Sequence, residues 1–156
     1  MLRVDRVSQD DWETFKELRL AALQESPGSF GSSYAEERDQ PEAWWRRWIG
    51  SDVTDREGAV FVAYLDDRPV GTVSTYKADA SSAHLIAMWV KPEARRSGVG
   101  RALVETVFDW AVGSKATSVT LESPRTTRRP SGSTRRRAFD SPARSGRCDP
   151  TRRSQR

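Results

Sequence analysis

His84-Leu85-Ile86-Ala87-Met88-Trp89-Val90, then Lys91-Pro92-Glu93-Ala94, then Arg95-Arg96-Ser97-Gly98-Val99-Gly100, then Arg101-Ala102-Leu103-Val104-Glu105-Thr106-Val107-Phe108-Asp109-Trp110-Ala111: this run decides how the chain folds. Its first block is apolar after His84 and reads as the end of a strand over Ala83–Val90. The proline block is a turn. The last block spaces Val99, Ala102, Leu103, Phe108 and Trp110 as on one face of a helix, predicted over Gly98–Val112. A strand, a glycine-bearing turn and a helix in that order present backbone amides to an anion. The first helical turn carries unpaired N–H donors and a partial positive charge. Gly98 and Gly100 have no Cβ, so a bulky diphosphate can come close to the main chain. Arg95, Arg96 and Arg101 add cations around the same point. The residues point to a diphosphate-bearing cofactor, although an ordinary connection under a solvated arginine patch has the same spacing.

The three-glycine dinucleotide fingerprint and the Gly-Lys-Ser/Thr of a P-loop are not found in this stretch. What stands there is Arg95-x-x-Gly98-x-Gly100, preceded by Val90-x-Pro92. This unit resembles the acetyl-CoA-binding motif of the GNAT N-acetyltransferase superfamily, Gln/Arg-x-x-Gly-x-Gly/Ala. The Met88-Trp89-Val90-x-Pro92 before it and the Gly100-Arg101-Ala102-Leu103-Val104 after it fit the same resemblance. Arg96 departs from it, because many members carry glycine there.

The resemblance implies acetyl-CoA as cofactor and transfer of its acetyl group to a primary amine of a small molecule or protein. Arg95, Arg96, Ser97, Gly98, Val99, Gly100 and Arg101 would hold the diphosphate, and backbone groups of Met88, Trp89 and Val90 would line the pantetheine arm. Acetyl transfer also needs a general base with a pKa near the working pH. His84, the only histidine, lies at the start of the cofactor strand, where many members carry glutamate. It is the catalytic candidate, and a strand-end histidine with no role fits the same position.

The remaining elements follow from periodicity. Leu2, Val4 and Val7 alternate with polar residues as a first strand, and Ser8-x-x-Asp11 has the form of a capping box. Trp12, Phe15, Leu18 and Ala22 place a helix over Asp10–Gln24, stopped by Ser26-Pro27-Gly28. Phe30 to Asp39 reads as a polar connection, and Pro41–Ile49 as a second helix. In the resembled family this region lies over the acceptor pocket, so Phe30 and Tyr34, with Trp44 and Trp48, are candidate substrate-binding residues; plain core or lid packing fits them better. Strands follow at Ala59–Leu65 and Val70–Tyr76, joined by the turn signal Asp66-Asp67-Arg68-Pro69, and at Ser118–Leu121. The fold class is therefore α/β (α+β): a GNAT-like mixed, mostly antiparallel sheet flanked by helices, incomplete at the C-terminus.

Composition divides the chain at one point. Its net charge of +4 conceals 15 basic against 20 acidic residues over 1–122, a balance of −5, and 11 arginines against two acids over 123–156, a balance of +9. All six tryptophans precede residue 123. The first segment is expected to be an incomplete acetyltransferase domain, and the second, rich in Arg, Ser, Thr and Pro, a disordered tail. Where the family would continue with a tyrosine-bearing helix and a hairpin, the tail matches neither. One coding string for Ser123–Pro142, read with an added G in front, gives Val-Thr-Glu-Asp-Asn-Ala-Pro-Ala-Val-Arg-Leu-Tyr-Glu-Thr-Ala-Gly-Phe-Arg-Leu-Thr, which resembles that missing segment. A single-base deletion after Glu122 is the account this suggests.

The single cysteine, Cys148, excludes an internal disulfide and a cysteine-based zinc site, and no metal is expected. No stretch has the length and apolarity of a membrane span or a signal peptide, so a cytoplasmic protein is expected. The expected partners are acetyl-CoA and an amine acceptor, with no membrane. A homodimer, whose second copy covers the gap, is one route to a complete site. Nucleic acid is expected only non-specifically, through the arginine tail.

Overall fold

The computed structural model describes residues 1–50 and 57–121. The segment 123–156, with its expected disorder, lies outside the described residues. In chain order the elements are β1 (Leu2–Arg6), a 3-10 turn (Gln9–Asp11), α1 (Trp12–Glu25), α2 (Tyr34–Glu37) and α3 (Glu42–Ile49). Then come β2 (Gly58–Leu65), β3 (Arg68–Lys77), β4 (Ser82–Val90), a 3-10 turn (Pro92–Ala94), α4 (Val99–Gly113) and β5 (Ser118–Leu121).

The strands lie in sequence order, β1-β2-β3-β4-β5. The first three pairings are antiparallel, and β4 pairs with β5 in parallel across the α4 crossover. The β2–β3 turn is made by Asp66 and Asp67, both at positive φ (50° and 63°), the geometry whose twist matches paired strands. Asp66 also takes the N-terminal ammonium and Asp67 takes Arg3, which ties β1 to that turn.

Strand alternation divides the core between two faces. On one, Ala59, Phe61, Ala63, Val73, Ala83 and Leu85 pack against Val99, Leu103, Val107 and Ala111 of α4. On the other, Val60, Val62 and Trp89 pack against Phe15, Leu18 and Ala22 of α1 and Trp45 and Ile49 of α3. The interior strand β2 is buried on both sides, which is why Ala59–Ala63 reads as an unbroken apolar run. The mixed, mostly antiparallel architecture is the one expected.

One local reading needs correction. The connection expected at Phe30–Asp39 contains α2, opened by a reciprocal cap: the Glu36 carboxylate accepts from the Ser33 N–H at 2.7 Å, and the Ser33 hydroxyl accepts from the Glu36 N–H at 3.3 Å. Helix α4 ends at Gly113 with Ser114 as its C-cap, the stop that Gly113-Ser114 marks in the sequence. The Ala116 N–H bonds back to the Ala111 carbonyl at 2.9 Å, and Lys115 takes the left-handed conformation at φ 62°.

Candidate active site

The site begins with an irregularity in β4. Thr72 pairs with Trp89, but two residues along β3, Ser74 pairs with Ile86, so Ala87 and Met88 together stand opposite Val73. This is a β-bulge, and Ala87 sits in it at φ 51°. Simple alternation from Leu85 would send Trp89 to the α4 face; the extra residue turns it instead onto the α1 and α3 face. β5 pairs only with Ser82–Leu85, so the far edge of Ile86–Val90 has no strand partner among the described residues. Bulge and open edge together leave main-chain groups of this short stretch available, with Met88 exposed beside them.

The turn that follows is pinned from below and open above. Lys91 N–H donates to the Val70 carbonyl at 2.7 Å, and Ala94 and Val99 are buried anchors. Arg95, Arg96, Ser97 and Gly98 between them are exposed. Gly98 is the N-cap of α4 at φ 86°, and no side chain caps the helix there. The first return bond is from Ala102 N–H to the Gly98 carbonyl at 3.0 Å, so the amides of Val99, Gly100 and Arg101 precede the helical ladder. A Cβ built at Gly98 meets nothing within 4 Å; one at Gly100 would lie 3.9 Å from Val90 Cγ2 and 4.0 Å from Met88 Cε. The helix N-terminus and the bulged strand therefore face one another, as a cofactor spanning both requires.

The cations divide unevenly. Arg95 donates through Nε to the Val90 carbonyl at 3.0 Å and through Nη2 to the Glu25 carboxylate at 3.0 Å. Arg101 pairs with Glu105 one turn along the helix at 2.9 Å. Arg96 makes no hydrogen bond or ion pair among the described residues, and its φ is 64°, a conformation glycine adopts without strain. The Ser97 hydroxyl donates to the Ala94 carbonyl and stiffens the turn.

The other predicted residues lie apart from this centre. His84 is half-buried, stacked on Tyr76 with ring centroids 5.2 Å apart, and its carbonyl accepts from the Thr75 hydroxyl at 2.8 Å. It precedes the bulge by three residues, roughly 10 Å of strand. Phe30 and Trp48 each lie 4.9 Å from the Arg19 guanidinium. That guanidinium makes a two-pronged pair with Glu37 at 2.9 and 2.8 Å, and both residues are almost wholly buried. Tyr34 opens α2 and is half-buried. Sequence reasoning missed Glu25, the bulge at Ala87 and the Arg19–Glu37 pair. Only α2 had left a local signal, the Ser33-x-x-Glu36 spacing.

A profile of the acetyltransferase (GNAT) family matches residues 11–131. The chain belongs to the GNAT acetyltransferase family. Acetyl transfer is thus its general chemistry, and acetyl-CoA the acetyl donor of the family. Solved GNAT structures share the fold at low identity. An aminoglycoside acetyltransferase from an uncultured soil metagenomic sample superposes with a TM-score of 0.64 at 19% identity, covering 81% of this chain and 82% of its own. The PaiA N-acetyltransferase of Thermoplasma acidophilum, in complex with coenzyme A, gives 0.61 at 17% identity, covering 78% of each chain. The ribosomal-protein-alanine N-acetyltransferase of Brucella melitensis biovar Abortus 2308 gives 0.56 at 20% identity, covering 81% of this chain and 83% of its own. No curated protein sequence matches the chain. No helix among the described residues is long and apolar enough to cross a membrane.

Proposed function

We propose that this GNAT chain is an acetyl-CoA-dependent N-acetyltransferase acting on a primary amine of a small molecule or a protein, in the cytoplasm. One observation carries the reading: the uncapped first turn of α4, behind exposed Gly98, faces the bulge and open edge of β4. Those residues fit coenzyme A. The amides of Val99, Gly100 and Arg101, with the free guanidinium of Arg96, would receive the diphosphate. Backbone groups of Met88, Trp89 and Val90 would run along the pantetheine arm. Bound there, acetyl-CoA supplies an activated thioester. An unpaired N–H in the bulge would polarise the acyl carbonyl. His84 is the proposed base: its distance from the bulge calls for a bridging water to carry the amine's proton to the imidazole.

We read the activity as impaired. The family's closing helix and hairpin have no counterpart in the sequence of 123–156, and the tyrosines at 34, 64 and 76 all lie earlier in the chain. A coding string chosen for Ser123–Pro142 would supply, in the alternative frame, both a tyrosine and a helix-forming pattern. Sequencing the coding DNA decides whether a base has been lost after Glu122; a gene without that second frame removes this account. A second reading rests on the +9 balance of 123–156, which favours non-specific polyanion binding with affinity falling steeply in salt. The test of the main reading is calorimetric titration of acetyl-CoA into the chain, followed by turnover of a panel of amines with His84→Ala alongside. Saturable one-to-one binding is expected, with unchanged affinity and lower turnover near neutral pH in the variant. No heat of binding sinks the enzyme reading, and unchanged turnover removes His84 from it.

A further inference from the structure

Glu25 closes α1, yet its carboxylate reaches both halves of the cofactor element. It accepts hydrogen bonds from Trp89 Nε1 at 2.9 Å and from Arg95 Nη2 at 3.0 Å. Trp89 is the first residue past the β4 bulge, and Arg95 opens the turn. Because Arg95 also donates to the Val90 carbonyl, one carboxylate links the end of α1, the strand beyond the bulge and the entry to α4. A negative charge at a helix C-terminus opposes the helix dipole, so nothing in α1 itself favours this placement. Three donors offset that cost: the Ser26 hydroxyl, the Trp89 indole and the Arg95 guanidinium lower the Glu25 carboxyl to about 2. The group is thus charged throughout the neutral range. Among the described residues Glu25 is the carboxylate that pairs with Arg95, while Glu17, one of the other acids of α1, lies 4.0 Å from Lys91.

We propose that Glu25 is a positioning residue for cofactor binding: through Trp89 and Arg95 it braces the turn so that the first amides of α4 keep their alignment. On this view Arg95 is a strut of the turn, and the diphosphate is met by amides and by Arg96. The proposal rests on the reading of residues 95–101 as the diphosphate site.

The experiment titrates coenzyme A into wild type, Glu25→Gln, Glu25→Asp, Arg95→Gln and the double variant Glu25→Gln/Arg95→Gln. Indole N–H resonances are followed by NMR in each, with that of Trp89 assigned through Trp89→Phe. A strut predicts that Glu25→Gln moves the Trp89 resonance and weakens coenzyme A binding about 1.5- to fivefold, the range of an exposed ion pair. Glu25→Asp should recover part of both, and the double variant should bind no more weakly than the weaker single one. Tighter binding by Glu25→Gln would make Arg95 a restrained phosphate ligand, and unchanged binding would reduce Glu25 to packing; either result overturns the proposal. A wild type that binds no coenzyme A defeats the underlying reading before any variant is compared. The strut then stands or falls on whether Arg95→Gln moves the Trp89 resonance.

Discussion

The two sides of the sheet use their polar groups in opposite ways. On the cofactor side, around the β4 bulge and the α4 N-terminus, the available groups are mostly main chain, and apart from the Val90 carbonyl held by Arg95 they are unspent: uncapped amides, an open strand edge and the guanidinium of Arg96. On the α1–α3 side the polar groups are side chains, and they are consumed by one another. Arg19 is paired with Glu37, flanked by Phe30 and Trp48, and closed in by the Trp44–Trp45–Trp48 and Phe15 contacts. A backbone site needs only glycine, a bulge and a helix start, whatever else the chain does. A side-chain region is shaped by its own packing, and that packing names no acceptor. The difference explains why the donor is identifiable here and the acceptor is not.

The contrast breaks first, and most violently, at the buried pair. Glu37→Ala should leave the Arg19 guanidinium charged in the core, where Nη1 already has no partner among the described residues. The expected loss is about 3–5 kcal/mol, a large part of a net stability of roughly 5–15 kcal/mol. Thermal unfolding checks it, and replacing both partners, Arg19→Met with Glu37→Leu, should restore most of the loss. If Glu37→Ala were neutral, the pair would not be the keystone of the α1–α3 side. On the cofactor side the sign pattern should invert. Gly100→Val begins from a Cβ in ordinary contact with Val90 and Met88, so the fold should hold. The added methyls, however, would crowd the space between strand and helix. Overpacking of about 1–3 kcal/mol corresponds to roughly ten- to hundredfold weaker acetyl-CoA binding. Calorimetry with an unchanged melting temperature is the expected signature; loss of fold instead would mean that the space belongs to the core.

Most of the architecture was legible because it is periodic. The alternation of β1, the buried run of β2 and the helical spacing of α1 and α4 each follow from which face meets the core. The motif residues were legible as well, since Gly98 and Gly100 stand where a helix begins. What escaped were features without a period. The bulge at Ala87 is one extra residue inside an apolar strand, and no residue type marks it. Glu25 stands beyond the periodic run of α1 with no pattern of its own; its partners lie 64 and 70 residues away and meet it only after the sheet forms. Arg19 and Glu37 leave no mark in the sequence, because pairing across 18 residues follows no spacing rule. His84 was found by residue type alone, and the stack on Tyr76 explains its orientation without giving it a task.

The smallest expected effect separates backbone from charge within the turn itself. Arg96 holds φ 64° with a side chain that has no partner among the described residues. Glycine would relieve the backbone but add freedom to the unfolded chain, so its net gain should nearly vanish. Asparagine accepts the left-handed region and avoids that entropy, so Arg96→Asn should raise stability by about a few tenths of a kcal/mol. The amides stay in place and one cation is lost. Acetyl-CoA affinity should therefore fall by only about two- to threefold in low salt, and the difference should fade as salt screens an exposed charge. A tenfold loss that persists at high salt would transfer the diphosphate site from the main chain to this arginine, and the contrast between an open backbone and spent side chains would fail at its centre.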